Sequence, residues 1–239
     1  SFAGLRLTAY QVGLEGNSVN VRNDSLSNRT GSMALSYLNI GFPLNKHLGF
    51  SFGLTPLTRG KYGMQQSDTV DGVSKVLYNY YGGGGVQQIY LGAAYKFKHI
   101  SFGFSTGYTF GNVVRTSEAN FTDSLKIISS NISGRTNVGG VFLQLGTLMS
   151  QTIKGETHVT FGATYQLAQN LNAKKETYWK SFIGDVLEPD YEYRVDSVVE
   201  LKGKVKLPAR LGIGAMLGND KWKVGVDFVS ANWSNYRYY

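Results

Sequence analysis

Three histidines and no cysteine are the whole stock of imidazole and thiol chemistry in this 239-residue chain. Any general base or soft metal ligand must therefore be His47, His99 or His158. The first two fall in short polar turns, leaving His158 as the only one expected to face the lumen. His158 stands alone among Thr and Val, and a base needs both a nucleophile and an orienting partner; a hydrogen-bonded structural role is the simpler reading. The missing cysteines remove thiolate metal sites, Cys nucleophiles and disulfides together. Gly82 to Gly85 has the look of a phosphate cradle, but no Lys-Ser/Thr follows it, so a loop hinge is the expectation. Gly212, Gly214 and Gly218 copy a dinucleotide fingerprint only in spacing. Catalytic residues, cofactors and metals are all expected to be absent, and the chain is read as no enzyme.

The elements that carry these residues have a period of two. Between Ile100 and Asn112 the side chains of Ile100, Phe102, Phe104, Tyr108 and Phe110 share one parity, while Ser101, Gly103, Ser105, Gly107, Thr109 and Gly111 share the other. Successive strand residues point to opposite faces, so one face is aromatic and the other small and polar. Nine such stretches fall near 6–22, 32–43, 48–60, 86–98, 100–115, 135–150, 155–169, 204–217 and 222–234. Short turns alternate with long polar connections at 23–31, 61–85, 116–134 and 170–203. That asymmetry, with strands of roughly 9 to 11 residues or more, suits an outer-membrane barrel.

Composition agrees. The chain is 42% hydrophobic and 17% charged with 30 Gly and 4 Pro, and has no run of about 18 apolar residues, so membrane helices are excluded. A soluble barrel points its apolar face inward, whereas here that parity (Leu48, Phe50, Phe52, Leu54, then Ile89, Leu91, Tyr95, Phe97) bears no charge and the other holds Lys96, His158, Lys206, Arg210, Lys223 and Asp227. Apolar-out is therefore expected, with aromatic girdles from Phe42, Phe97, Tyr108, Trp222 and Trp233. The net charge of +8 comes with no nucleic-acid motif and is better matched to anionic lipid headgroups. Nine strands are an odd number, so residues 1–239 are expected to be one antiparallel transmembrane β-barrel domain cut short at one or both ends.

The long connections hold the most informative side chains. Val73, Val76, Leu77, Tyr80 and Tyr81 have helical spacing, as do Tyr178, Trp179, Phe182, Ile183, Val186 and Leu187. Two amphipathic lids are expected there, packed on each other, on lipid, on a partner, or around a hydrophobic ligand in a groove of Leu77, Tyr80, Tyr81, Trp179, Phe182 and Ile183. Gly103, Gly107 and Gly111 clear one inward face, which would either kink the wall open or let neighbouring groups approach.

The run from Ser36 to Pro56 (Ser-Tyr-Leu-Asn-Ile-Gly-Phe-Pro-Leu-Asn-Lys-His-Leu-Gly-Phe-Ser-Phe-Gly-Leu-Thr-Pro), followed by Gly60-Lys-Tyr-Gly63, resembles the early hairpin of long-chain fatty-acid transporter-like (FadL-like) outer-membrane proteins of the Bacteroidetes type. That resemblance implies a barrel of about 14 strands with an N-terminal hatch, carrying hydrophobic molecules from an external groove to an opening in the wall. This chain shows no hatch segment before its first strand and only nine strands. The expected location is the bacterial outer membrane, multi-pass, with outer-membrane lipid or lipopolysaccharide, a hydrophobic ligand and an envelope protein complex as partners and no nucleic acid. Three functions remain open: hydrophobic-molecule transport, a non-transporting scaffold subunit of a secretion or assembly complex, and, less favoured, an aqueous porin.

Overall fold

The structure, a computed structural model, describes residues 6–22, 27–70, 73–121, 128–154, 157–184, 189–193 and 199–238. Almost everything described is antiparallel sheet. The strands are β1 (Ala9–Arg22), β2 (Ser27–Pro43), β3 (Leu48–Val70), β4 (Val73–Phe97), β5 (Ile100–Phe121), β6 (Ser129–Lys154), β7 (Thr157–Gln166), β8 (Gln169–Gly184), β9 (Pro189–Tyr193), β10 (Val199–Leu207), β11 (Arg210–Gly218), β12 (Lys223–Ala231) and β13 (Arg237–Tyr238). One 13-stranded sheet contains them all.

Its long path is β1-β2-β3-β4-β5-β6-β7-β11-β12, and every member carries one of the nine alternating stretches, although the 204–217 stretch joins the end of β10, which lies off this path, to β11. After β6 the sheet forks. The C-terminal half of β6 pairs with β7 (Leu145↔Tyr165), the N-terminal half with β8 (Asn137↔Lys174), and β10 then pairs with β8 while β11 pairs with β7. Leu167-Ala168 and Pro208-Ala209 interrupt the two neighbouring strands at matching positions. Proline has no N–H for a ladder, which accounts for the second interruption.

Turn chemistry sets the register at the short ends. Asn45 Oδ1 accepts from the N–H groups of His47 and Leu48 at 2.8 Å each, and Asn219 Oδ1 accepts from Lys221 and Trp222 at 2.9 and 3.0 Å. Lys98, at φ 52°, closes the two-residue β4–β5 turn.

Two expectations need correction. The sheet is an open, curled half-barrel whose edges lie 19 Å apart, and its terminal strands β1 and β12 share no ladder, so it is not a closed transmembrane barrel or a fragment pattern of about 14 strands. Closure requires pairing between sequence-distant strands, which local alternation does not encode. The long connections are also not helical lids. Residues 61–70 and 73–85 extend β3 and β4 as a paired ribbon, with Met64↔Tyr80 and Tyr62↔Gly82 in register, and 129–139 pairs with 172–182. The Tyr, Trp, Val and Ile that mimic helical spacing are the residue types that favour strands. Val186 and Leu187 lie outside the described residues.

The burial pattern is inverted relative to a soluble sheet. On the small-residue parity Gly41, Gly49, Ser51, Gly53, Gln88, Ser101, Thr109 and Gly140 are buried, while on the other parity Leu91 is 63%, Phe104 51% and Val141 67% exposed. Polar side chains link up across this face: Gln88 Nε2 donates to its β5 register partner Thr109 Oγ1 (3.0 Å), which reaches over β6 to donate to Gln169 Oε1 (2.9 Å). Tyr90 donates to Asn39 Oδ1 at 2.9 Å, and burial holds its phenol pKa above the usual value. One apolar cluster, Leu171, Ala173 and Val205 with Val138 and Leu207, sits on the same inner face where the sheet forks.

Because Thr109 is fully buried between two amides, removing its hydroxyl leaves both without a partner. Thr109→Val, nearly isosteric, is expected to lower unfolding stability by about 1–3 kcal/mol, measured as a shift in the denaturant midpoint. A midpoint equal to that of the unaltered protein would remove the three-residue bridge as a stabilising element.

Candidate interaction surfaces

The outward parity of the sheet changes character along the strands. At the short-turn end it is an apolar band: Phe102 beside Tyr95, Phe104 beside Leu145, Phe161 beside Met149, and Ile213 beside Phe228, all exposed. Above the band comes a charged belt. One cross-strand row runs Phe110, Gly139, Asn172, Lys204, the next Asn112, Asn137, Lys174, Lys202, and the next Val114, Arg135, Glu176, Glu200. Lys174 Nζ meets Glu176 at 2.8 Å and Glu200 at 3.2 Å, so hydrogen bonding to these carboxylates raises its pKa, and the same contact lowers that of Glu176. A hollow of about 600 Å³ bordered by Tyr108, Asn137, Lys174, Lys202 and Lys204 lies where band and belt meet.

Higher on this face Glu118 is 7% exposed and accepts from Asn131 Nδ2 (2.6 Å), the Tyr81 hydroxyl (2.7 Å) and Asn79 Nδ2 (3.4 Å). It ties β4, β5 and β6 together. Burial first, then the Glu118 contact, raises the Tyr81 pKa. Sequence reading missed this carboxylate because it occupies the parity that is apolar further down the same strand; only its Asn and Tyr cross-strand neighbours marked it.

The six candidate groove residues divide between faces. Tyr80 pairs with Ser117, Ser117 with Ile132, and Ile132 with Trp179, so Tyr80, Ile132 and Trp179 lie in one row on the inner parity, continued by Met64. Each of these four is exposed, Met64 by 62%. Leu77, Tyr81 and Phe182 take the outer parity, with Phe182 buried and paired to Ser129, while Ile183 returns to the inner parity of Trp179. No single surface holds all six.

The β4–β5 ladder continues past Gly103, Gly107 and Gly111 with no register shift. A Cβ on Gly107 would collide with the Ile89 carbonyl and one on Gly111 with the Gly85 carbonyl, so these two glycines allow close strand approach. Gly84, at φ 139°, faces the Asn112 carbonyl in the same ladder, so the glycine run at 82–85 is strand and not a loop hinge. A second hollow, about 430 Å³, lies on the inner face between Ser51, Gln88, Gly103, Gln144 and Thr164. His158 accepts or donates one hydrogen bond with Thr152 Oγ1 at 2.9 Å. Among the described residues no three His, Asp or Glu side chains gather as metal ligands, and no helix is long and apolar enough to cross a membrane.

A protein-family model described as BamG matches residues 1–239, so the chain belongs to that family. No curated protein and no solved structure matches it. The family match corrects the FadL-like resemblance, and with it the fatty-acid transporter reading, because the Ser36–Pro56 wording covers one hairpin whereas the match covers the whole chain. It also replaces the multi-pass barrel location, which the open sheet does not support. The protein is non-enzymatic.

Two glycine substitutions separate close strand approach from mere small-residue composition. Gly107→Ala drives a methyl into backbone and is expected to cost about 1–3 kcal/mol, whereas Gly162→Ala, whose added carbon would lie 3.9 Å from Thr147 O, is expected to change stability by under about 1 kcal/mol. Unfolding midpoints of the two variants test this, and equal effects would count against the close-approach reading.

Proposed function

We propose that this BamG-family chain is a non-catalytic scaffold subunit of the outer-membrane-associated BAM assembly complex, of which BamG is an accessory protein. The carrying observation is the family match over residues 1–239, and the exposed apolar band supports it. A free-standing monomer rarely leaves so large an apolar surface in water, because each square ångström costs roughly 25 cal/mol. The band therefore has a partner in the assembled state.

Outer-membrane lipid is that partner in this reading. The lysines at 174, 202 and 204 sit directly above the band, where they would meet anionic headgroups while the aromatic and aliphatic side chains meet acyl chains. The protein partner takes the ribbons beyond the belt. There Met64, Tyr80, Ile132 and Trp179 form an exposed row on a rigid ladder, and aromatic side chains supply much of the binding energy at protein interfaces.

Two variants test the two surfaces separately. Phe104→Asp with Leu145→Asp alters a cross-strand pair already exposed in the chain; it is expected to preserve the sheet by circular dichroism while lowering the membrane-bound fraction at least about tenfold. Trp179→Asp is expected to leave membrane binding intact and to lower recovery with the complex, when a different subunit carries the purification tag, by about tenfold or more. If the unaltered chain does not co-purify with that complex, the scaffold reading fails. Unchanged membrane binding in the double variant would remove lipid as the partner of the band.

A further inference from the structure

From the two open edges of the sheet, and resting on the scaffold reading, we infer that the chain docks its protein partner by strand addition, taking a three-stranded antiparallel β-segment between β1 and β12. Along the path of the sheet β1 has a neighbour only in β2, and β12 only in β11. Each presents a row of backbone donors and acceptors to its open side, 14 residues long in β1 and 9 in β12.

Each edge is only lightly defended: β12 places Lys223 and Asp227 on its inner parity, and β1 has a register shift at Gly13/Leu14. Natural sheets blunt such edges with proline, bulges, inward charges or a covering element. β12 contains no proline, keeps an unbroken register with β11, and carries Val224, Val226, Phe228 and Val229 exposed. β1 has one irregularity at Gly13/Leu14 and exposes Tyr10, Val12 and Leu14. Long edges with exposed apolar side chains and unpaired backbone accept another strand readily.

The width and polarity of the opening specify the occupant. Successive strands on the nine-member path are antiparallel, so its first and ninth members, β1 and β12, run in the same direction. An odd number of added strands is then needed to keep every new pair antiparallel. Neighbouring strands lie about 4.8 Å apart, so edges 19 Å apart leave about four spacings, which is room for three strands. One added strand would leave the opening unbridged. A second copy of this chain would bring another nine-member path, too many for that width.

Hydrogen exchange read by mass spectrometry, on the full-length chain alone in detergent and within the native complex, tests the inference. Amides of β1 and β12 are expected to exchange at least tenfold more slowly in the complex, with those of β5 and β6 unchanged. Equal edge rates in both samples would overturn it, as would edges already protected in the isolated chain or protected there only as its concentration rises, the signature of self-association. Gly225→Pro and Val226→Pro supply a second readout, since adjacent residues of an edge strand aim their N–H groups alternately inward and outward. The variant that keeps the wild-type unfolding midpoint is expected to lose at least tenfold in complex recovery while retaining membrane binding. Full recovery of that variant would overturn strand addition. A complex that forms with unprotected edges refutes this inference alone, whereas a chain absent from the complex refutes the scaffold reading beneath it.

Discussion

Crowding of small polar side chains on the inner face is the constraint from which the rest of this sheet follows. A sheet curls tightly only if its concave side carries little volume, and small residues, Gly above all, occupy much of that side on β3, β5, β7 and β11. Larger residues would hold the strands flatter. The same choice leaves the aromatic and aliphatic side chains with nowhere to go but outward, so inverted burial is a consequence of curvature. Hydrogen bonds then replace hydrophobic packing inside: in the Gln88–Thr109–Gln169 bridge the Thr109–Gln169 contact links β5 to β8 across the intervening β6. Such a bridge is directional, and it fixes curvature where an oily core would tolerate slippage.

The long strands depend on that curvature for their second half. Beyond the charged belt the ribbons of β3, β4, β5, β6 and β8 have lost the small-residue face, and a different device holds them: a buried carboxylate accepting three hydrogen bonds from β4 and β6 neighbours. A carboxylate so placed costs desolvation unless its lone pairs are filled, and here Tyr81, Asn79 and Asn131 fill them. The ribbons therefore present Tyr80 and Trp179 on a scaffold stiff enough to serve as a contact surface.

Period two made the strands of the long path legible, because most have one charge-free parity over several residues and an Asn-bearing or basic short turn beyond it, but it ran the end of β10 into β11 and so hid the fork of the sheet. Two further features were not legible, for separate physical reasons. Aromatic and β-branched residues at i, i+3 and i+4 fit a helix wheel, but Met64, Ser117 and Ile132 flank Tyr80 and Trp179 only once strands pair across gaps of tens of residues, and that pairing settled the ribbons as sheet. Closure was the second. Alternation reports which way a side chain points and says nothing about whether strands remote in sequence come within hydrogen-bonding distance. The hairpin wording at Ser36–Pro56 was equally local: its Asn45-centred turn and Gly-Phe-Ser-Phe strand follow from turn and curvature needs that unrelated curled sheets share.

An open curled sheet with apolar outside and polar inside is poorly matched to water on both counts, and that mismatch bears on how the chain must be used. The exposed band would drive association by area alone, without choosing a partner. Unpaired edge backbone is different, since it pays only when strand direction, spacing and number agree. In combination the band can hold the chain in an apolar setting while the edges decide which protein it accepts there. A member of an assembly needs both properties, affinity for place and selectivity for partner, and in this chain they reside in separable parts of one sheet.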